Sequence, residues 1–312
     1  MRTNIKLSLS FLSLLFLCLL SEPLSAASGR SASDFRLDSG LRVILQNEPG
    51  NQLAVMQVCF PGSSLRQNAD NAGIENMLLD VMQKGGEKYP RREADAVLEK
   101  YAASVSASVT KDYSVYEMHV AVPFFESVLE VFSDGLLHPL LPAEEIELTR
   151  SRMLAAVRAG QDDPDEVVAD ALNGIFYHGH PYENDIEGTL ESLPRITRDM
   201  LLEHHRRMLD DAGAFIVVVG DFKKAALGRM LEKHLAEFRP QTLVSSAITD
   251  FRIQPEHLAR VEREQPAWTM ILKFAAPEAP QPQYAALKIG LDYFSHRLWE
   301  EVRSKRALAY SV

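Results

Sequence analysis

The stretch that decides the reading of this chain is Ala72-Gly-Ile-Glu-Asn-Met-Leu-Leu-Asp-Val-Met-Gln-Lys-Gly-Gly-Glu-Lys-Tyr-Pro90. Ile74, Met77, Leu78, Val81 and Met82 follow the i, i+3, i+4, i+7, i+8 spacing of an amphipathic helix. At about 3.6 residues per turn, Asn76, Leu79, Asp80 and Gln83 gather on the opposite side. Gly85-Gly86 ends the helix, because glycine accepts the left-handed conformation that helix termination uses. Leu79 is out of place, a bulky apolar residue at the centre of the face expected to meet solvent, so another domain or subunit is expected to enclose that face.

Upstream, Phe35 to Gln46 reads as a hairpin turning at Asp38-Ser39-Gly40, and Leu53 to Cys59 as the next strand. A second helix is expected over Glu93 to Tyr101, then strands at Ser104–Thr110 and Ser114–Val122. Pro123, Pro142 and Pro164 each open a helix, since proline suits the first helical turn. Phe215 to Val219 is a short buried strand running into Gly220-Asp221, and a helix follows to about Glu237. The order suits an α+β fold, with helices packed on a mostly antiparallel sheet.

The quoted stretch resembles the zinc helix of the pitrilysin/insulinase metallopeptidases, the inverzincins. Their helix reads A-G-L-x-H-x-x-E-H-x-x-x-K-G-T-x-x-Y-P. Two histidines at i and i+4 reach one zinc from one helix face, and the glutamate activates its water. Here the first histidine falls on Asn76, the glutamate on Leu79 and the second histidine on Asp80. The resemblance extends through Asp112-Tyr113-Ser114-Val115-Tyr116, Gln161-Asp162-Asp163-Pro164, Gly179-His180-Pro181-Tyr182, Gly188-Thr189 and Val218-Val219-Gly220-Asp221. Aligned through Val157 and the Asp162-Asp163-Pro164 segment, the family's third ligand, a glutamate, becomes Ala156. The resemblance therefore implies the pitrilysin-type (LuxS/metallopeptidase-like) fold without its zinc machinery: no metal and no cofactor on this chain.

The family is built from two related halves. Trp268 to Phe274 as a strand, Ala275 to Pro280 as a loop and Tyr284 to Leu298 as a helix repeat the order seen from Leu53 to Met82. The duplicated second copy is expected to be incomplete, the chain stopping within it at Val312. Residues 28–236 would form the peptidase-like domain, 237–264 a polar linker and 265–312 the start of the second domain. The final stretch, Arg297 to Val312, resembles the family's S-R-L-F-x-x-(I/L)-R-E-K-x-G-L-A-Y-S-V. Its Arg and Tyr hold the scissile carbonyl in active relatives, and they fall here on Arg303 and Tyr310, with Ala307 in place of glycine. The family also pairs substrate with an edge strand reading G-A-x-x-N-A. That maps to Ala102 through Ala107, with Ser106 for the asparagine and Ala107 after it as substrate-binding positions.

At the N-terminus, Arg2 and Lys6 precede an apolar run from Leu7 to Leu20 and a small-residue stretch ending at Ala27, the pattern of a cleaved signal peptide over residues 1–27. A secreted or periplasmic chain with no remaining membrane span is expected. Losing that segment leaves Cys59 as the single cysteine, and no disulfide within the chain. It also takes a net charge of −10 to −11, which argues against nucleic acid as a partner. Two functions stay open. The chain is either the non-catalytic subunit of a peptidase whose partner carries H-x-x-E-H and acts on peptides or unfolded proteins, or a non-enzymatic binding or scaffold protein on the same fold.

Overall fold

The structure is a computed structural model, and it describes residues 32–241, 260–262, 268–279 and 281–310. The expected signal peptide, and most of the expected linker, lie outside these residues. The described residues group into two compact units, one within Met1–Arg158 and Asn184–Ala247, the other within Ala159–Glu183 and Ile248–Val312. No helix among them is long and apolar enough to cross a membrane.

The first unit is built on a six-stranded sheet. Its strands are β1 (Ser33–Arg36), β2 (Arg42–Asn47), β3 (Leu53–Pro61), β4 (Ser104–Val109), β5 (Tyr113–Ala121) and β6 (Phe215–Gly220), in the order β1-β2-β6-β3-β5-β4. All neighbours are antiparallel except β2 and β6, which run parallel with Leu45 opposite Val218. The mostly antiparallel sheet is what the sequence pattern implied, although the parallel pair joins strands too distant in sequence for local spacing to reveal. Period-two alternation puts Val43, Leu45, Met56, Val58, Phe60, Tyr116, Met118, Ile216 and Val218 in the core. Polar residues such as Gln57, Glu117 and His119 alternate with them on the other face.

The helices are α1 (Ile74–Met82), α2 (Arg91–Lys100), α3 (Phe125–Leu137), α4 (Ala143–Asp162), α5 (Pro164–Phe176), α6 (Arg198–Leu209), α7 (Lys224–Leu235) and α8 (Pro282–Leu298). α1 packs against β4 and α6, while α3 packs against β5 and α7. Phe125, Val128, Leu129, Phe132 and Leu136 of α3 face the core at helical spacing. Leu227, Leu231 and Leu235 of α7 do the same.

Both ends of α1 are fixed by backbone geometry. Gly73 precedes the helix at φ +86°, and a Cβ there would stand 2.7 Å from the Gly188 Cα. This close approach, with the Ser192 Oγ donating to the Ala72 carbonyl at 2.8 Å, seats the 185–192 loop on the start of α1. At the far end Gly85 takes φ +112°, and the Asp134 carboxylate accepts the backbone N–H groups of Lys88 and Tyr89 at 2.9 and 2.8 Å.

In the second unit the expected strand at Trp268–Phe274 does not form: these residues have no ladder partner among the described residues. Trp268, Met270, Ile271, Leu272 and Phe274 are exposed, while Thr269 donates to Asp165 at 2.8 Å and Lys273 to Asn173 of α5. The helix expected after the loop is present as α8.

Candidate functional site

α1 brings its atypical face to a pocket of about 260 Å³, which Asn76, Leu79, Asp80 and Gln83 line together with Ala107 to Val109 of β4. Thr149, Arg152, Met153 and Ala156 of α4 close another side, and Glu187 a third. The four positions that correspond to the family's zinc ligands and base, Asn76, Leu79, Asp80 and Ala156, thus converge in space. Their side chains are committed elsewhere. The Thr149 Oγ1 donates to the Asp80 carboxylate at 2.8 Å and the Arg152 Nη2 at 2.5 Å, while the Lys84 ammonium lies 3.8 Å away. Asn76 Nδ2 donates to Glu187 at 2.7 Å. Partial burial and the nearby charge of Asp185 raise the Glu187 pKa, against the Asn76 hydrogen bond.

Leu79 corrects the expectation that another domain or subunit must cover it. It is 1% exposed and belongs to the same cluster of buried apolar side chains as Met77, Leu78 and Val81. The face that looked solvent-directed lines the pocket through Asn76, Asp80 and Gln83, while Leu79 between them is buried. A leucine is apolar there because it is core.

The donor chemistry of the pocket does not suit zinc. Zinc sites use imidazole, thiolate and carboxylate, and here one carboxylate is already paired, one position is an amide and one is a methyl group. Among the described residues no three His, Cys, Asp or Glu side chains cluster in a way that could hold a metal ion.

Beside the pocket, the α1 residue Glu75 anchors a separate buried network. Arg66 Nε and Nη2 donate to it at 2.9 and 2.6 Å, Ser114 Oγ at 2.6 Å, and His204 Nε2 lies 2.8 Å away. Burial alone would raise this carboxyl; the His204 and Arg66 hydrogen bonds outweigh it and hold Glu75 at about 2. Arg66 also reaches Asp211 at 3.1 Å, whose pKa burial pushes up. The network ties α1 to β5 and α6 independently of the pocket.

Of the expected substrate-binding positions, Ala107 lines the pocket. Ser106 alternates to the other face of β4, and its hydroxyl donates to Glu117 at 3.2 Å. β4 ends the sheet, so one of its backbone edges has no ladder partner among the described residues. Arg303 and Tyr310 belong to the second unit, where the guanidinium lies 4.3 Å from the Tyr310 ring centroid. Ala307, between them, sits at φ +50°, in the conformation that glycine favours and that the family's glycine would satisfy.

Thr149, Arg152 and Glu187 escaped the sequence reading. They stand 69, 72 and 111 residues from the α1 side chains they bind. One signal was available: Arg152 lies one helical turn before Ala156, on the same face of α4.

Comparison with known proteins agrees with this geometry. Residues 42–190 match the insulinase (peptidase family M16) model, and residues 195–312 match the M16 inactive-domain model. An uncharacterized zinc protease of Mycobacterium leprae is 24% identical over 297 residues, covering 91% of this chain and 66% of that protein. A probable mitochondrial-processing peptidase subunit beta of Schizosaccharomyces pombe is 25% identical over 204 residues, covering 65% of this chain and 45% of that one. The chain thus spans about two thirds or less of these relatives. The crystal structure of a peptidase M16 inactive domain from Pseudomonas fluorescens superposes with a TM-score of 0.71 at 21% identity, covering 90% of this chain and 69% of that one. With M16 models matching over both parts of the sequence and a fold that superposes on an M16 structure, the chain belongs to the insulinase (M16) peptidase family.

Proposed function

We propose that this chain is the non-catalytic, zinc-ligand-lacking subunit of an insulinase-like peptidase. It would work outside the cytoplasm beside a partner that carries H-x-x-E-H. The chain holds no zinc or other cofactor of its own; the partner supplies the metal and the general base, and this chain supplies Arg303 and Tyr310 to the carbonyl of a peptide or unfolded protein. In this reading residues 28–236 serve as its peptidase-like domain, and 237–264 join them to residues 265–312 of a second one. The observation that carries the reading is Asp80, whose carboxylate is clasped by Thr149 and Arg152 where an active relative would need an imidazole. The stacking of Arg303 on Tyr310 supports it by keeping two hydrogen-bond donors side by side. A relative named as a processing-peptidase subunit makes division of labour between subunits a natural expectation.

The test is co-expression with an H-x-x-E-H homologue encoded nearby, followed by a peptide-cleavage assay. Arg303→Ala or Tyr310→Phe should lower turnover of an intact complex, about 10²–10³-fold where an oxyanion donor is lost. Equal rates for wild type and Arg303→Ala would remove this reading. The edge of β4 that has no ladder partner among the described residues favours the second reading, a non-enzymatic peptide-binding or scaffold protein.

A further inference from the structure

Past Leu298, α8 runs on as a π-helix over Trp299–Ser304, and the Lys305 N–H donates to the Glu300 carbonyl five residues back at 2.9 Å. Two further bonds end it, from the Ala307 N–H to the Arg303 carbonyl and from the Leu308 N–H to the Val302 carbonyl, each at 3.0 Å, with Ala307 at φ +50°. A helix continued straight would carry Tyr310 about 10 Å along its axis from Arg303. The turn at Ala307 instead returns the Tyr310 ring to within 4.3 Å of the Arg303 guanidinium. Trp299, four residues before Arg303 on the same helix face, brings its ring centroid to 5.7 Å.

The Arg303 guanidinium makes these ring contacts and no hydrogen bond or ion pair among the described residues. The acidic side chains beside it are already paired, Glu300 with Arg297 at 2.8 Å and Glu301 with Lys305 at 2.5 Å. A guanidinium meets aromatic rings through its face and hydrogen-bond acceptors through the N–H groups at its edge. The rings therefore restrain Arg303 without using its donors, which an ion pair with Glu300, three residues back, would have taken. Of the two rings, Trp299 is the one set in the helix that carries Arg303. It is also the less exposed, 45% against 83% for Tyr310.

We propose that Trp299 is a positioning residue for Arg303: its indole holds the guanidinium on the side of Tyr310 and leaves the N–H edge open to a carbonyl oxygen. The proposal deepens the reading above and rests on it, because the carbonyl is that of the bound peptide. Trp299 gives the substrate no hydrogen bond of its own. It acts through Arg303.

Two measurements test it, the first on the full chain without a partner. In an NMR spectrum of the chain with isotope-labelled arginine, the Arg303 Nε–H signal is identified by its loss in Arg303→Lys. Ring currents from Trp299 and Tyr310 should displace it from the signals of exposed arginines. Trp299→Leu should bring it part of the way back, and Trp299→Phe should keep most of the displacement. Should Trp299→Leu fail to fold, Trp299→Met carries the same comparison. An Arg303 signal indifferent to Trp299 would overturn the proposal. The second measurement is peptide cleavage by the complex co-expressed with an H-x-x-E-H homologue. Trp299→Leu should lower kcat about two- to fivefold with KM unchanged, the worth of an exposed cation–π contact, and Trp299→Phe should restore most of it. Added to Arg303→Ala, Trp299→Leu should cost nothing more. A further loss in that double variant would overturn the proposal, since Trp299 would then act otherwise than through Arg303. A complex indifferent to Arg303→Ala removes the subunit reading, and the Arg303 signal then decides the positioning by itself.

Discussion

Replacing Glu75 by glutamine removes one negative charge from a buried polar network while keeping the side chain's length. The carboxylate is fully buried and meets Arg66, Ser114 and His204 at 2.6–2.9 Å. Glutamine leaves the Arg66 guanidinium buried with only Asp211, 3.1 Å away, as a carboxylate partner. Breaking one side of a buried pair costs about 3–5 kcal/mol. The titration of Glu75 gives a second route to the magnitude. Its folded pKa of about 2, against an ordinary 4.5, amounts to roughly 3 kcal/mol at about 1.4 kcal/mol per pH unit. Because the folded pKa is the lower one, this stability is present above 4.5 and is lost as pH falls toward about 2. Urea unfolding followed by circular dichroism at a series of pH values measures both effects. Wild type should lose stability from this group between about pH 5 and 2, and Glu75→Gln should start lower by about 3 kcal/mol and lack that component. A Glu75→Gln cost below about 1 kcal/mol at pH 7, or an unchanged acid profile, would refute the argument that the network holds α1 in place.

Other expectations are more local. Leu79→Ala should cost about 2–5 kcal/mol in the same unfolding assay, because Leu79 is a core residue; a solvent-facing leucine would cost almost nothing. Cys59 is buried, and burial with the nearby Glu117 charge pushes its thiol up to about 11. It should resist a thiol reagent at pH 8 in the folded chain and react promptly in denaturant.

Much of the fold was legible because its signals are local. The period of α1, the alternation of β3 and β5 and the glycine at each turn all act within a few residues, and the sheet and helices follow them. Convergence of Asn76, Asp80 and Ala156 was legible too, through a resemblance whose motifs keep their order and spacing. What filled the site was not. Asp80 is paired by Arg152 and Asn76 by Glu187, long-range contacts that no period encodes. Leu79 was misread for a related reason: the helical wheel identifies a polar side by its neighbours, but whether that side meets water depends on where β4 lies. Trp268–Phe274 shows the converse. Its apolar residues suit a strand, yet a strand needs a hydrogen-bonded neighbour, and none of the described residues provides one.

The central claim is that side chains have replaced the metal on this chain, and zinc stoichiometry tests it most directly. The purified chain is incubated with excess zinc, desalted and subjected to elemental analysis, with cleavage of an unstructured peptide followed in parallel. The account predicts no stoichiometric zinc and no chelator-sensitive cleavage. About one zinc retained per chain, with peptide cleavage that a chelator abolishes, would contradict it.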